Sequence, residues 1–218
     1  MSILDGGQVR PTGDAGVVIE YGAEIDPAVH ERVLAADRAV AAAALPGVEE
    51  TVPSYRSLLL RLDPLVTTPA AVVAALVDVQ PLPLDHAPTR LEVPVSFADV
   101  DAPDLSAVAD RVGCTPSEVI ALLTGGDLRV YLHGFAPGFA YLGGVPPELH
   151  LARRDTPRSP VPAGSVLLAG GQAALCPTSM PTGWWVVGRT DTPLFDPTAD
   201  PPVPITPGDV VRLTVRAA

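Results

Sequence analysis

The stretch RSPVPAGSVLLAGGQAALCPTSMPTGWWVVGR, from Arg158 to Arg189, decides the fold class of this chain. Between the two arginines lie thirty residues without a charged side chain, which is long enough for a membrane-spanning helix. Proline and glycine recur every few residues, however, and a proline inside a helix costs about 3 kcal/mol. The apolar runs Val166–Ala169 and Trp184–Val187 are instead typical of buried strands between turns. The segment therefore predicts an all-β core with constrained loops and no membrane span.

The composition predicts a globular protein with a substantial core. The 218 residues are 47% hydrophobic, which suffices for one large domain or two small ones. The first residues lack a basic segment followed by an apolar one, so we expect no secretion signal and a cytoplasmic location. Cys114 and Cys176 lie far apart in sequence and form no Cys-x-x-Cys pair, which predicts two free thiols.

The charged residues exclude several classes of function. A net charge of −11 argues against a surface that tracks nucleic-acid phosphates, because such binding requires clustered cations. All 14 basic residues are arginine. The absence of lysine excludes a P-loop lysine, a kinase-type phosphate-binding lysine and a Schiff-base nucleophile supplied by this chain. A coding bias towards arginine would produce the same composition, and the exclusions hold in either case.

The first 88 residues predict a small two-layer α/β domain, with two helices on an antiparallel sheet. The predicted elements are a strand at Val17–Tyr21, a helix at Ala28–Ala44, a strand pair at Val48–Val52 and Ser57–Leu62, and a helix from Thr68 to Val77. Asp26 followed by Pro27 supplies the first helix with an N-cap and a proline in its first turn.

A break rich in proline around Asp85-His86 predicts a domain boundary, with domains at residues 1–88 and 89–218. The elements predicted after it are a strand at Arg90–Phe97, a helix at Asp104–Val112, a helix opened by Thr115-Pro116-Ser117-Glu118, and a strand at Arg129–Leu132. Thr115 and Glu118 have the spacing of a capping box, in which each side chain accepts a backbone N–H of the other residue.

Three motifs in order carry a family resemblance: HGFAPGFAYLGG from His133, TPRSPVPAGSVLLAGGQ from Thr156 and PTGWWVVGRT from Pro181. Together they resemble the signature of the KipI/PxpB family, which is also known as allophanate hydrolase subunit 1 or as the B subunit of 5-oxoprolinase. The first half agrees more loosely, through Gly13-Asp14 and VPSYRSLLLRLDP from Val52. The resemblance implies an α+β protein of two domains, a two-layer α/β domain followed by a closed cyclophilin-like β-barrel.

The resemblance also implies a reaction and partners. Members of the family resemble the first half of a two-part carboxyltransferase-like assembly, and act with KipA/PxpC-like and PxpA/LamB-like subunits. That assembly is a 5-oxoprolinase, which opens 5-oxoproline to glutamate using ATP. We therefore expect a subunit that is inactive alone, with an ATP site that can lie in a partner. The alternatives are a KipI-like inhibitor of a sensor histidine kinase, a subunit of a urea or allophanate pathway enzyme, and a cyclophilin-like peptide binder.

Hydrolysis of a lactam requires groups in the site that stabilise developing negative charge. Backbone N–H groups in glycine loops and guanidinium groups are suited to the negative charge that develops on the substrate. The candidates for substrate or anion binding are Gly134, Phe135, Gly138, Phe139, Tyr141, Arg158, Gly170, Gly171 and Gln172, with Arg153, Arg154 and Arg189 as further anion partners. The alternative roles are turns and close-packed barrel positions for the glycines, and ion pairs at the surface or barrel end for the arginines.

Two short motifs hold five of the ten aromatic residues: Phe135, Phe139, Tyr141, Trp184 and Trp185. Such a concentration indicates a pocket wall or a subunit interface, with core packing as the alternative for either tryptophan. Adjacent residues of a strand face opposite sides, so only one of the two tryptophans can point into a barrel. We therefore predict an interface with a partner subunit at Trp184, Trp185 and Arg189.

Departures from the family pattern concern catalysis. Relatives often carry a His-Thr pair where this chain has Leu123-Thr124, and a GGQTG motif with a following tyrosine where it has GGQAA, from Gly170 to Ala174, with Cys176. His133 stands at a position that is usually apolar in the family. We hypothesise that His133 supplies a replacement imidazole.

Other catalytic arrangements have little support in the sequence. The four histidines are widely separated and lack metal-ligand spacing, so no metal is predicted: they are His30, His86, His133 and His150. Ser165 lies outside a G-x-S-x-G elbow, and Ser179 has no recognisable partner. Cys176 follows an apolar run and is interpreted as a small core residue.

Overall fold

The computed structural model describes residues 2–84 and 87–216, and the chain divides into two compact units, Met1–Ala87 and Pro88–Ala218. Each unit combines helices with its own sheet and its own core. The predicted α+β fold with two domains is confirmed. Asp85 and His86, at the centre of the predicted break, lie outside the described residues.

Unit 1 is a four-stranded antiparallel sheet with two helices. Its elements are β1 (Gln8–Pro11), β2 (Gly16–Glu20), α1 (Pro27–Ala43), β3 (Val48–Pro53), β4 (Ser57–Leu62) and α2 (Pro69–Leu76). The strands follow the order β1-β2-β4-β3. Alternate residues of β2 and β4, such as Ile19 and Leu58, share one core with Val33 of α1 and Val72 of α2.

Helix α1 begins where its capping residues predict. The Asp26 carboxylate accepts the backbone N–H of Ala28 at 2.6 Å and that of Val29 at 3.2 Å, and Pro27 occupies the first helical position. The helix ends one residue earlier than predicted. Ala44 has left-handed backbone angles, with φ of 44°, and therefore terminates α1 instead of extending it.

Unit 2 is built on a seven-stranded sheet. Its elements are β5 (Arg90–Val95), α3 (Leu105–Val112), α4 (Pro116–Gly125), β6 (Leu128–His133), β7 (Ala140–Gly143), β8 (Arg158–Val161), β9 (Ser165–Ala169), β10 (Gln172–Leu175), β11 (Met180–Thr182), β12 (Trp185–Arg189) and β13 (Val210–Val215). The sheet order is β12-β9-β10-β7-β6-β13-β5. Strands β8 and β11 pair separately as a two-stranded ribbon. Strand β13 runs parallel to β5 and antiparallel to β6.

The edge strands of this sheet meet and nearly close it into a barrel. Ser96, after β5, and Arg189 of β12 exchange two backbone hydrogen bonds, of 2.7 and 3.0 Å. The neighbouring Gly188 permits this approach, because a Cβ at that position would lie 2.5 Å from the Val95 side chain. The resemblance implies a fully closed barrel, whereas the barrel in the structure is nearly closed.

The helices of unit 2 pack together, and α4 also contacts β13. The predicted capping box of α4 is confirmed, since Glu118 N–H donates to Thr115 Oγ1 at 3.2 Å and Thr115 N–H donates to Glu118 at 2.7 Å. Leu123 is buried in the barrel core. None of the helices in the described part of the chain combines the length and apolar character needed to cross a bilayer.

The barrel sheet is buried on both faces. Along β9, Val166 and Leu168 belong to the core inside the barrel, whereas Leu167 and Ala169 belong to a second core on its outer face. The ribbon of β8 and β11 contributes to the outer core through Val161 and Met180. This second layer explains why the runs predicted to be strands are apolar throughout rather than alternating.

Candidate functional site

The loop between β6 and β7 presents one aromatic side chain to solvent. Gly134 N–H donates to Phe139 O at 3.2 Å, and Phe139 N–H donates to Ala136 O at 3.0 Å, which holds the loop closed on itself. Phe135 is 73% exposed and has φ of 68°, a left-handed conformation that costs a bulky residue about 1–3 kcal/mol. Strained residues cluster at ligand-binding loops and switch regions, which makes this loop a candidate site.

Phe135 begins a continuous row of aromatic rings. Its ring centroid lies 5.6 Å from that of Phe139, which lies 4.9 Å from Tyr141, which in turn lies 5.9 Å from Trp184. Phe139 directly precedes β7 and Tyr141 is the second residue of that strand, so the two side chains share the outer face of the sheet. Strand alternation thus accounts for the row.

These rings form one wall of a pocket of about 240 Å³, here called the aromatic pocket. It is lined by Phe135, Phe139, Tyr141, Arg153, Met180, Pro181, Thr182, Gly183 and Trp184. Two of the three signature motifs, together with Arg153 from the segment before the second motif, therefore meet at one place on unit 2.

Arg153 supplies the positive charge of the aromatic pocket. Its guanidinium lies 5.8 Å above the Trp184 ring and, within residues 2–84 and 87–216, makes no hydrogen bond or ion pair. Burial raises the pKa of Tyr141, and the charge of Arg153 opposes this effect in part. The Tyr141 phenol is therefore protonated at neutral pH and can donate a hydrogen bond. A cation and a phenol donor beside aromatic side chains suit a small anion.

Two of the predicted anion partners are instead committed to Asp104. Arg154 and Arg158 both pair with its buried carboxylate, at 2.5 and 2.6 Å, and Val186 N–H donates to it at 2.9 Å. Because its carboxylate is used in this way, Asp104 makes no side-chain cap for α3, which begins at Leu105 rather than at the predicted Asp104. The sequence interpretation missed this residue, since its only local signal was a position before a helix.

Arg189 also has structural contacts. Its Nε donates to Ala163 O at 3.3 Å, its guanidinium lies 3.5 Å from the Asp101 carboxylate, and its backbone closes the barrel. Of the four arginines suggested as anion partners, Arg153 is therefore the one that lines the aromatic pocket.

The two tryptophans face opposite sides of the sheet, as strand geometry requires. Trp185 packs inside the barrel, where its Nε1 donates to Ala152 O at 2.8 Å. The guanidinium groups of Arg111 and Arg154 lie 4.8 and 4.9 Å from its ring centroid. The structure thus places Trp185 in a core rather than on a free surface, whereas Trp184 lies in the outer core and borders the aromatic pocket.

The paired glycines lie in the hairpin between β9 and β10 and do not line the aromatic pocket. Gly170 has φ of 60°, and its N–H donates to Leu151 O at 2.7 Å. A Cβ at Gly171 would lie 2.8 Å from the His150 ring. Gln172 begins β10 opposite Ala169. Turn geometry and close packing account for the two glycines.

His133 lies on the other face of the sheet from the aromatic pocket. In the β6–β7 register it pairs with Ala140, whose side chain belongs to the core inside the barrel. Burial lowers the pKa of His133, with the charge of Asp209 opposing this effect, so the imidazole is neutral at pH 7. Its Nε2 is buried and has no hydrogen-bond partner among the described residues. The strand register places the His133 side chain on the opposite face of the sheet from the aromatic pocket. Catalysis by His133 stays a hypothesis.

The remaining departures from the family pattern are packing positions. Ala173 faces the core inside the barrel and Ala174 the outer core, and neither side chain is exposed. Within the described parts of the chain, no three His, Cys, Asp or Glu residues cluster in a way that could hold a metal ion. The two cysteines are free, as predicted.

Cys176 will resist alkylation at neutral pH, whereas the partly exposed Cys114 will react. Burial raises the pKa of the Cys176 thiol from 9.0 to about 11, which lowers its thiolate fraction about a hundredfold. Iodoacetamide labelling of the native chain followed by peptide mass spectrometry measures both sites. The reactivity of Cys176 should rise with pH, and equal labelling of the two cysteines at neutral pH would contradict the prediction.

The chain is similar to known proteins in both sequence and structure. A family model described as "Carboxyltransferase domain, subdomain C and D" matches residues 7–205. A protein of Bacillus subtilis (strain 168), named as the B subunit of 5-oxoprolinase, is 34% identical over 218 residues, which cover 94% of this chain and 91% of the relative. The resemblance read from the three motifs is confirmed.

Solved structures agree on the fold. The structure titled TTHA0988 superposes with a TM-score of 0.84 at 32% identity and covers 97% of this chain. The chain spans only 40% of the length of that protein. The urea carboxylase of Kluyveromyces lactis has a TM-score of 0.77 at 20% identity, over 97% of this chain and 22% of its own, and shows a shared fold alone.

Proposed function

Because this chain belongs to the carboxyltransferase-domain family, subdomains C and D, and within it to the KipI/PxpB proteins, we propose that it is a non-autonomous subunit of an ATP-dependent 5-oxoprolinase. In this proposal the assembled enzyme opens 5-oxo-L-proline to L-glutamate. The observation that carries it is the 34% identity, over 94% of this chain, to a protein named as the B subunit of 5-oxoprolinase.

The reaction explains why such a subunit needs both ATP and partners. Amide resonance makes a five-membered lactam carbonyl a poor electrophile, and ATP activates it by phosphorylating the carbonyl oxygen. The chain has no lysine and no phosphate-binding motif of known type, which supports an ATP site in a partner. The aromatic pocket, with one free guanidinium, is suited to the smaller reactant.

The proposed partners are a KipA/PxpC-like subunit and a PxpA/LamB-like subunit. The greater length of TTHA0988, of which this chain covers 40%, supports a larger assembly. The proposal places the enzyme in the cytoplasm, where ATP is available.

The test is reconstitution of the complex. The chain is co-expressed with its two candidate partners, and release of glutamate from 5-oxo-L-proline is measured with and without ATP. We expect turnover from the full complex that requires ATP, and none from this chain alone or from the partners without it.

Two outcomes would contradict the proposal. One is the absence of a stable complex and of turnover. The other is a chain that blocks autophosphorylation of a sensor histidine kinase without supporting glutamate release, which would favour the KipI-like regulatory alternative.

A further inference from the structure

We propose that the aromatic pocket is the binding site for the 5-oxoproline molecule itself, with Arg153 pairing with the carboxylate. This inference rests on the proposed function and adds the location of the substrate within the complex. It assigns the recognition of the substrate to this chain, whichever subunit supplies ATP.

The charges of the pocket match a monocarboxylate. The Arg153 guanidinium is held above the Trp184 ring yet makes no hydrogen bond or ion pair in residues 2–84 and 87–216, so its donors are available to a carboxylate. A single guanidinium balances a single negative charge. A triphosphate needs several cations, and the nearest further arginines of the same segment, Arg154 and Arg158, are already paired with Asp104.

The shape of the pocket matches a small flat ring. Its volume of about 240 Å³ lies just below the roughly 300–1,000 Å³ of sites for drug-sized ligands. The rings of Phe139, Tyr141 and Trp184 line one side of the pocket, and the amide group of the lactam ring is planar. The protonated Tyr141 phenol is a second donor within the electrostatic range of Arg153.

Phe135, whose backbone is strained, also supports ligand binding at the aromatic pocket. Its exposed ring contacts Phe139 at the rim of the pocket, where a bound ligand would cover it. Binding would then bury apolar surface that the free chain leaves in water, which offsets part of the cost of the left-handed backbone.

The experiment is calorimetric titration of the purified chain with 5-oxo-L-proline. We expect saturable binding that the Arg153→Gln substitution weakens by about tenfold or more, because a charge-assisted pair is lost. The neutral lactam 2-pyrrolidinone should bind the unsubstituted chain as weakly as 5-oxo-L-proline binds the Arg153→Gln chain. Tyr141→Phe, which keeps the ring and removes the hydroxyl, should cause a smaller loss.

Arg212→Gln is the matched control. Arg212 lies in the same unit, on β13, and pairs with Asp127, and neither residue lines the pocket. Its loss should leave the affinity unchanged. The inference is wrong if the unsubstituted chain shows no saturable binding, if Arg153→Gln binds equally well, or if ATP binds in an Arg153-dependent way and 5-oxo-L-proline does not.

Activity of the assembled complex separates this inference from the proposed function. If the complex releases glutamate and Arg153→Gln leaves its KM unchanged, the site assignment is wrong and the proposed function stands. If the complex shows no turnover while the chain binds 5-oxo-L-proline through Arg153, the proposed function is wrong and the site assignment stands.

Discussion

Replacement of Asp104 by alanine is expected to lower the free energy of unfolding by about 3–5 kcal/mol, the cost of breaking a buried ion pair. The carboxylate is 2% exposed and serves Arg154, Arg158 and the Val186 N–H at once. Its removal leaves two guanidinium groups and a backbone N–H without their partner. Urea-induced unfolding followed by circular dichroism measures the change.

Asp127→Ala is the control for this substitution. Asp127 also pairs with two arginines, Arg90 at 2.6 Å and Arg212 at 3.3 Å, but its side chain is 42% exposed. Exposed pairs contribute about 0–1 kcal/mol, so the loss should be small. If both substitutions lowered the free energy of unfolding equally, burial of the Asp104 carboxylate would not be the cause of its effect.

Replacement of Gly164 by alanine is expected to destabilise the chain by roughly 2–5 kcal/mol, as the sum of left-handed strain and overpacking. Gly164 has φ of 81°, and a Cβ there would overlap the carbonyl oxygen of Thr190. The residue also joins two neighbouring segments, since its N–H donates to Cys176 O at 2.7 Å and its O accepts Thr190 N–H at 2.9 Å. Thermal unfolding detects the change as a lower Tm.

The control is Gly170→Ala. Gly170 is also left-handed, with φ of 60°, but a Cβ there would meet nothing within 4 Å. Only the backbone strain of about 1–2 kcal/mol applies at that site. If Gly170→Ala were as harmful as Gly164→Ala, the contact with Thr190 would not be the cause.

Features of the fold that are determined by residues close together in the sequence could be predicted. Asp26-Pro27 and the Thr115–Glu118 pair located two helix starts, because capping involves residues within one turn. The apolar run before Gly170 predicted β9 for the same reason. Strands β1, β7, β8, β10 and β11 were not predicted, since each has only three or four residues. Strand β13 was also missed, although its sequence VVRLTV alternates apolar and polar residues from Val211 onwards.

The candidate site was predictable in its aromatic part only. The concentration of aromatic residues in two short motifs predicted a pocket wall, but the shared face of Phe139 and Tyr141 was not predicted, because β7 was not. The roles of the arginines depended on Asp104, which lies 50 residues before Arg154 and 54 before Arg158. Nothing local distinguishes Arg153, which lines the pocket, from the adjacent Arg154, which does not.

The position of β13 between β5 and β6 has a consequence for synthesis on the ribosome. Thr89, just before β5, bonds to Asp209, just before β13, across 120 residues of chain. Strand β5 is therefore translated early, and it has no β13 to pair with until that last strand of the barrel has been translated. Unit 1, whose paired strands follow one another closely, can fold first. The nascent barrel is thus the stage at which this protein most needs protection from aggregation.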